Sequence, residues 1–183
     1  TLTFDNSLTL SLNPDYYVTA LEFARQQDTP QKAKQVYLNT LAIYAVNDYL
    51  NELHFETDLA SGDAWNPVIR PFYDVADLTI PDIGKLECRP ILPDETVIKI
   101  PQQGTENLIA YIGVQFQENL KEVALLGYYK TSKLDQNQPE IPINNLQPID
   151  GLIDVLFTLK QGIVKINSEP QIRQKFEYNQ VCL

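Results

Sequence analysis

Asp77, Asp82, Glu87 and Arg89 are the residues of this 183-residue chain whose types and spacing could do chemistry. They fall around a two-strand hairpin pattern. Metal-dependent nucleases and phosphodiesterases often set an acid on one strand, then an acid and a lysine two residues apart on the next. The acids hold magnesium and the lysine orients water for metal-assisted hydrolysis. Asp77 and Glu87-Cys88-Arg89 give that outline, with Glu52 as a helix-borne acid. Arginine stands where lysine is expected, and a guanidinium cannot give up a proton. No helix signal follows at once. The plainer reading is that Glu87 and Arg89, at i and i+2, share one strand face and pair with each other or across the sheet.

Trp65-Asn66-Pro67 is a second candidate. Tryptophan anchors interfaces and equally plugs the end of a core. The following proline holds Asn66 away from helical geometry. Trp65, Asn66, Glu87 and Arg89 are therefore the expected partner-binding residues. Asn47 and Asp48, polar residues inside an apolar helix pattern, are the expected lining of a pocket between that helix and the sheet.

Other chemistries are excluded more firmly. His54 is the one histidine, so a His-rich zinc or iron site is out. It follows a helix end, where a cation interacts well with the dipole. There is no Gly-x-Ser-x-Gly elbow, no phosphate-binding Walker loop and no glycine-rich dinucleotide fingerprint; the seven glycines are spread singly. Cys88 and Cys182 form no metal spacing, and whether they pair is left open. No catalytic residue, metal site or cofactor is assigned on these grounds.

The elements that must position these residues begin with a short strand between Ser7 and Leu12. Asn13-Pro14-Asp15 and Asp28-Thr29-Pro30 are two helix starts, each a capping residue followed by proline. Helix one is predicted over 14–27 and helix two over 30–53. The apolar residues of helix two, from Val36 to Leu53, cover most of its circumference, the mark of a central buried helix. Residues 54–66 read as loop. Strands are predicted at 75–80, 86–91, 96–100, 108–117 and 122–130, joined by turns too short for parallel crossovers. A helix over 144–160, a short strand at 163–166 and one more helix complete the reading. The expected class is α+β: an antiparallel β-meander of four to five strands packed on two N-terminal helices, with a further C-terminal helix.

Composition sets the remaining bounds. The hydrophobic fraction is 44% and the charged fraction 21%, usual for a packed protein. The formal net charge of −10 repels phosphate backbones and anionic lipids. The lysines, Lys32, Lys34, Lys121, Lys130 and Lys133 among them, are scattered. Neither nucleic acid nor membrane is the expected partner; a protein is, with oligomeric state left open. No stretch approaches the roughly 18 apolar residues of a membrane span. A reducing cytoplasm is the expected setting. One α+β domain is expected over residues 1–183. A chain without methionine that ends in FEYNQVCL reads as the N-terminal part of a longer protein.

Three blocks carry a resemblance: KAKQVYLNTLAIYAVNDYLNEL, TDLASGDAWNPVIRPFYDVADLTIPDIGKLECRPILP and IAYIGVQFQENLKEVALLGYYKT. In that order they resemble the cyanobacterial domain of unknown function 1822 family, from roughly Pro14 to Leu159. The Trp65-Asn66-Pro67, Asp74-Val75-Ala76-Asp77 and Leu86-Glu87-Cys88-Arg89-Pro90 pieces are the specific part. The resemblance implies a cyanobacterial, cytoplasmic protein. It supplies no reaction, cofactor or catalytic residue. The function expected is a non-enzymatic protein-interaction or regulatory module. The alternatives are a metal-dependent nuclease or phosphodiesterase using Asp77, Glu87 and Arg89, and a small-molecule-binding domain.

Overall fold

The computed structural model describes residues 7–102 and 106–168. A short strand β1 (Leu8–Ser11) leads into α1 (Pro14–Arg25) and α2 (Pro30–Glu52). Both helices start as their sequences dictate. The Asn13 side chain accepts the Asp15 N–H and the Thr29 hydroxyl accepts the Lys32 N–H, with proline in each first turn. Such caps are worth about 1 kcal/mol each. α2 ends at Leu53, and the next residue, His54, takes a left-handed conformation with φ of 59°.

Five strands form the main sheet in the order β1-β6-β5-β3-β2, where β2 is Asp77–Ile80, β3 is Gly84–Ile91, β5 is Leu108–Phe116 and β6 is Glu122–Lys130. Three of its pairings are antiparallel, and β3 with β5 is parallel. The fold is α+β as expected, while the sheet is mixed. The difference lies in β4 (Val97–Lys99), which leaves the main sheet and pairs with β7 (Glu140–Pro142), so that β5 returns beside β3 in the same direction. Residues 75–76 precede β2 and bring it to the edge of the sheet.

α2 lies against one face of the sheet. Leu41, Ala42, Ile43, Ala45, Val46 and Leu50 are fully buried there with Leu78, Leu86, Cys88, Ile112 and Leu125. The opposite face carries a second apolar cluster, in which Ile98 and Ile141 from β4 and β7 cover Ile91, Tyr111 and Leu126. Alternation along β3 sends Leu86 and Cys88 to the helical side and Glu87, Arg89 and Ile91 to the other.

α3 (Leu152–Ser168) starts later than the residue-144 start read from the sequence, after two 3-10 turns at 143–145 and 149–151, and it runs on through the stretch expected as a strand at 163–166. No helix among the described residues is long and apolar enough to cross a membrane. Cys88 is buried with a free thiol; Cys182 and the last expected helix lie outside the described residues.

Candidate functional site

Two of the acids singled out from the sequence, Asp77 and Glu87, are held by neighbouring donors. β2 and β3 pair so that Asp77 stands opposite Glu87, and β3 and β5 place Glu87 beside Tyr111. Asp77 is 2% exposed, and its two oxygens accept the backbone N–H groups of Asp63 and Ala64, each at 2.9 Å. Those amides open a 3-10 turn at Asp63–Trp65, so Asp77 caps the turn that presents Trp65. Gly62 makes the approach possible: a Cβ there would lie 2.9 Å from the Asp77 carbonyl oxygen.

Glu87 accepts the Ala76 N–H at 2.8 Å and an Arg89 Nη1–H at 3.2 Å. The main grip of Arg89 is elsewhere. Its two terminal nitrogens donate to the two oxygens of Asp74, at 3.0 and 2.7 Å, in the fork geometry that makes arginine–carboxylate pairs strong. The Asn39 amide, on α2, adds a third donor to Asp74 at 2.9 Å. One guanidinium thus serves two carboxylates, unequally. Burial pushes Glu87 up to about 7, against the pull of Arg89 and the Ala76 N–H. Asp74 is also raised by burial, but the Arg89 bonds outweigh that and leave it below the ordinary aspartate range. The Arg89 partners more than compensate its burial and keep it firmly charged. Beside this cluster the buried Tyr111 hydroxyl and the Asn39 carbonyl oxygen have no hydrogen-bond partner among the described residues.

Metal-assisted hydrolysis would need these acids to aim open lone pairs at one point. Both oxygens of Asp77 and one of Glu87 are instead occupied by amide or guanidinium donors. Among the described residues no group of three or more metal-ligating side chains could hold an ion. Asp82, in the turn between β2 and β3, shares a depression of about 500 Å³ with Asp63, Asp77, Lys85 and Glu106; Glu87 and Arg89 do not line it.

Trp65 is half-buried. Its ring meets the edges or faces of Phe23 on α1 and Tyr44 on α2 at 5.4 Å each, and Tyr44 stacks on Tyr16. Asn66 holds the extended geometry expected before proline, with ψ of 114°. Its side chain accepts the Val68 N–H at 2.9 Å, and its carbonyl accepts the Ile69 and Arg70 amides. Asn47 and Asp48 sit on different sides of α2. Asn47 accepts from the Thr57 hydroxyl and Asp48 from the Tyr16 hydroxyl. Burial first, then that bond, raises Tyr16 above its ordinary range.

A feature the sequence reading missed lies directly after Trp65. Arg70 stands in an apolar segment between Pro67 and Pro71, yet it is only 4% exposed. Its guanidinium turns inward, donating to the Ala64 carbonyl at 2.9 Å and to the Gln26 side chain at 2.8 Å, and it lies 3.7 Å over the Phe23 ring. The apolar neighbours point the other way. Val68 is 71% exposed, Phe72 77% and Tyr73 44%. The Lys32 ammonium closes the far end of the loop by donating to the Tyr73 carbonyl at 2.8 Å. The signal in the sequence was the lone arginine between two prolines.

Set beside known protein families, the chain matches one over residues 10–180, described as a protein of unknown function (DUF1822). No curated protein and no solved structure matches it.

Proposed function

The chain belongs to the DUF1822 family, and we propose that it is a non-enzymatic protein-interaction or regulatory module whose docking element is the loop of residues 66–73. The observation that carries this reading is the inversion in that loop: its cation is buried and its large apolar side chains face solvent. Water-facing valine and phenylalanine gain nothing in the isolated fold, whereas an apolar side chain buried at an interface gains roughly 1.5–3 kcal/mol. Anchors of this kind work best when they are already held in place, because little ordering entropy is then lost on binding. Two prolines, the Asn66 turn, the Arg70 staple and the Lys32 bond supply that order. Trp65 and Asn66 act as the base of the docking loop. Glu87 and Arg89, buried beneath it, hold the Asp74 end where the loop rejoins the sheet. The family resemblance supports a cyanobacterial, cytoplasmic setting.

The test is affinity purification of the tagged protein in parallel with a Phe72→Ser form of equal melting temperature. One stoichiometric protein partner should be retained by the first and lost by the second. No stoichiometric partner, or equal retention by both, would count against the module.

A further inference from the structure

A groove of about 710 Å³ lies between α3 and the end of the main sheet; it shares Ile83 and Asn107 with the depression at Asp82, and neither Trp65 nor Arg89 lines it. β6 supplies Tyr128 and Lys130, which share a strand face. α3 supplies Asp154 and Val155, and Ile83 and Ile109 add apolar surface. The volume falls in the usual range of small-molecule sites, about 300–1,000 Å³.

We infer that this groove binds an apolar zwitterion of amino-acid to dipeptide size, its carboxylate on Lys130 and its ammonium on Asp154. Two observations carry the assignment. Lys130 and Asp154 are opposite charges on two different walls, yet they form no ion pair with each other or with any other described residue. A simple anion would leave Asp154 unmatched and meet the net charge of −10; a simple cation would leave Lys130 unmatched. A ligand with one charge of each sign satisfies both. The second observation is Tyr128. The residue is 8% exposed, and its hydroxyl has no hydrogen-bond partner among the described residues although it lines the groove. A Cβ on Gly151 would come within 3.0 Å of that hydroxyl oxygen, so glycine is what leaves its position open. Burial, then Asp154 and Asp150, keep the phenol protonated, available as a donor to the ligand carboxylate. The Thr158 hydroxyl, by contrast, is spent on the Asp154 carbonyl. Apolar substituents of the ligand rest on Ile83, Ile109 and Val155.

This inference is independent of the docking loop. The probes are L-leucine and L-leucyl-L-leucine, titrated by calorimetry and by amide chemical shifts against the full chain. Saturable binding should perturb Tyr128, Gly151 and Thr158. N-acetylation or C-terminal amidation of the dipeptide should weaken it about tenfold or more, as should Lys130→Gln or Asp154→Asn, both at unchanged melting temperature. Phe72→Ser should bind the dipeptide as the parent does. Absence of saturable binding by either probe, or binding that survives blocked termini or the two charge-removing variants, overturns the assignment.

Discussion

The Asp74–Arg89–Glu87 cluster and the loop of residues 66–73 adjoin each other and invert the usual arrangement in opposite senses. In the first, the charged Glu87 and Arg89 are buried; in the second, apolar groups stand in water. Their hydrogen bonding tells the structural one from the other. Both terminal nitrogens of Arg89 and the Ala76 N–H are matched to carboxylates of the cluster, so its charges are paired within this chain. Among the described residues the exposed side chains of the loop meet nothing that would explain them, so the loop is directed outward.

The comparison breaks most sharply at Arg89. Arg89→Met removes the cation shared by the buried Glu87 and the half-buried Asp74 and should cost about 3–5 kcal/mol in urea unfolding, the usual penalty for orphaning a buried ion. A loss below about 1 kcal/mol would mean that the cluster is solvated rather than closed.

Glu87 gives the next largest effect and a sign. Its folded value is raised to about 7 by burial, so the unfolded chain loses this proton first. Between the ordinary glutamic range and about pH 7 the folded state holds more protons, and stability falls as pH rises. The contribution is fully present below that window and absent above it, on the order of 3 kcal/mol at most. Asp74 works in the opposite sense: held low by Arg89, it stabilises above the ordinary aspartic range and loses that contribution as pH falls through its depressed value. Glu87→Gln should flatten the fall between pH 4.5 and 7, followed by unfolding at constant ionic strength. An unchanged slope would remove Glu87 from the cause.

Arg70→Leu should be milder, about 1.5–3 kcal/mol, because it removes hydrogen bonds from one charged group. It should also raise hydrogen exchange across residues 68–73 specifically. Protection retained there would show that the prolines, the Asn66 turn and the Lys32 bond order the loop without Arg70. Phe72→Ser is the smallest in stability, within about 0.5 kcal/mol for an exposed side chain, although its effect on partner binding should be the largest of the set.

Much of the scaffold was readable from residues alone. The Asn13 and Thr29 starts, the all-round apolar α2 and the strand windows rest on short-range rules, and they stand within a few residues of the structure. The partner of β4 was not readable. Residues 96–100 have a strand pattern, but periodicity says nothing of which edge a strand joins, and β4 pairs with β7 some forty residues on. Glu87 and Arg89 alternate with Leu86 and Cys88 as a solvent face would, and periodicity gave no sign that Asp74 and the Ala76 N–H would meet them in the interior. Residues 163–166 read as a strand after the helix, yet α3 runs through them, and among the described residues nothing lies within 4 Å of a Cβ at Gly162. The loop was legible as far as Trp65-Asn66-Pro67. Its inversion was not, because sequence alone gives no direction to the Arg70 side chain.

The most direct test of the central claim is the dissociation constant of the copurified partner for the parent and for Phe72→Ser, measured where both are fully folded. A docking loop predicts a loss of tenfold or more, about 1.4 kcal/mol, at an unchanged melting temperature. Equal affinity in the two proteins would contradict it.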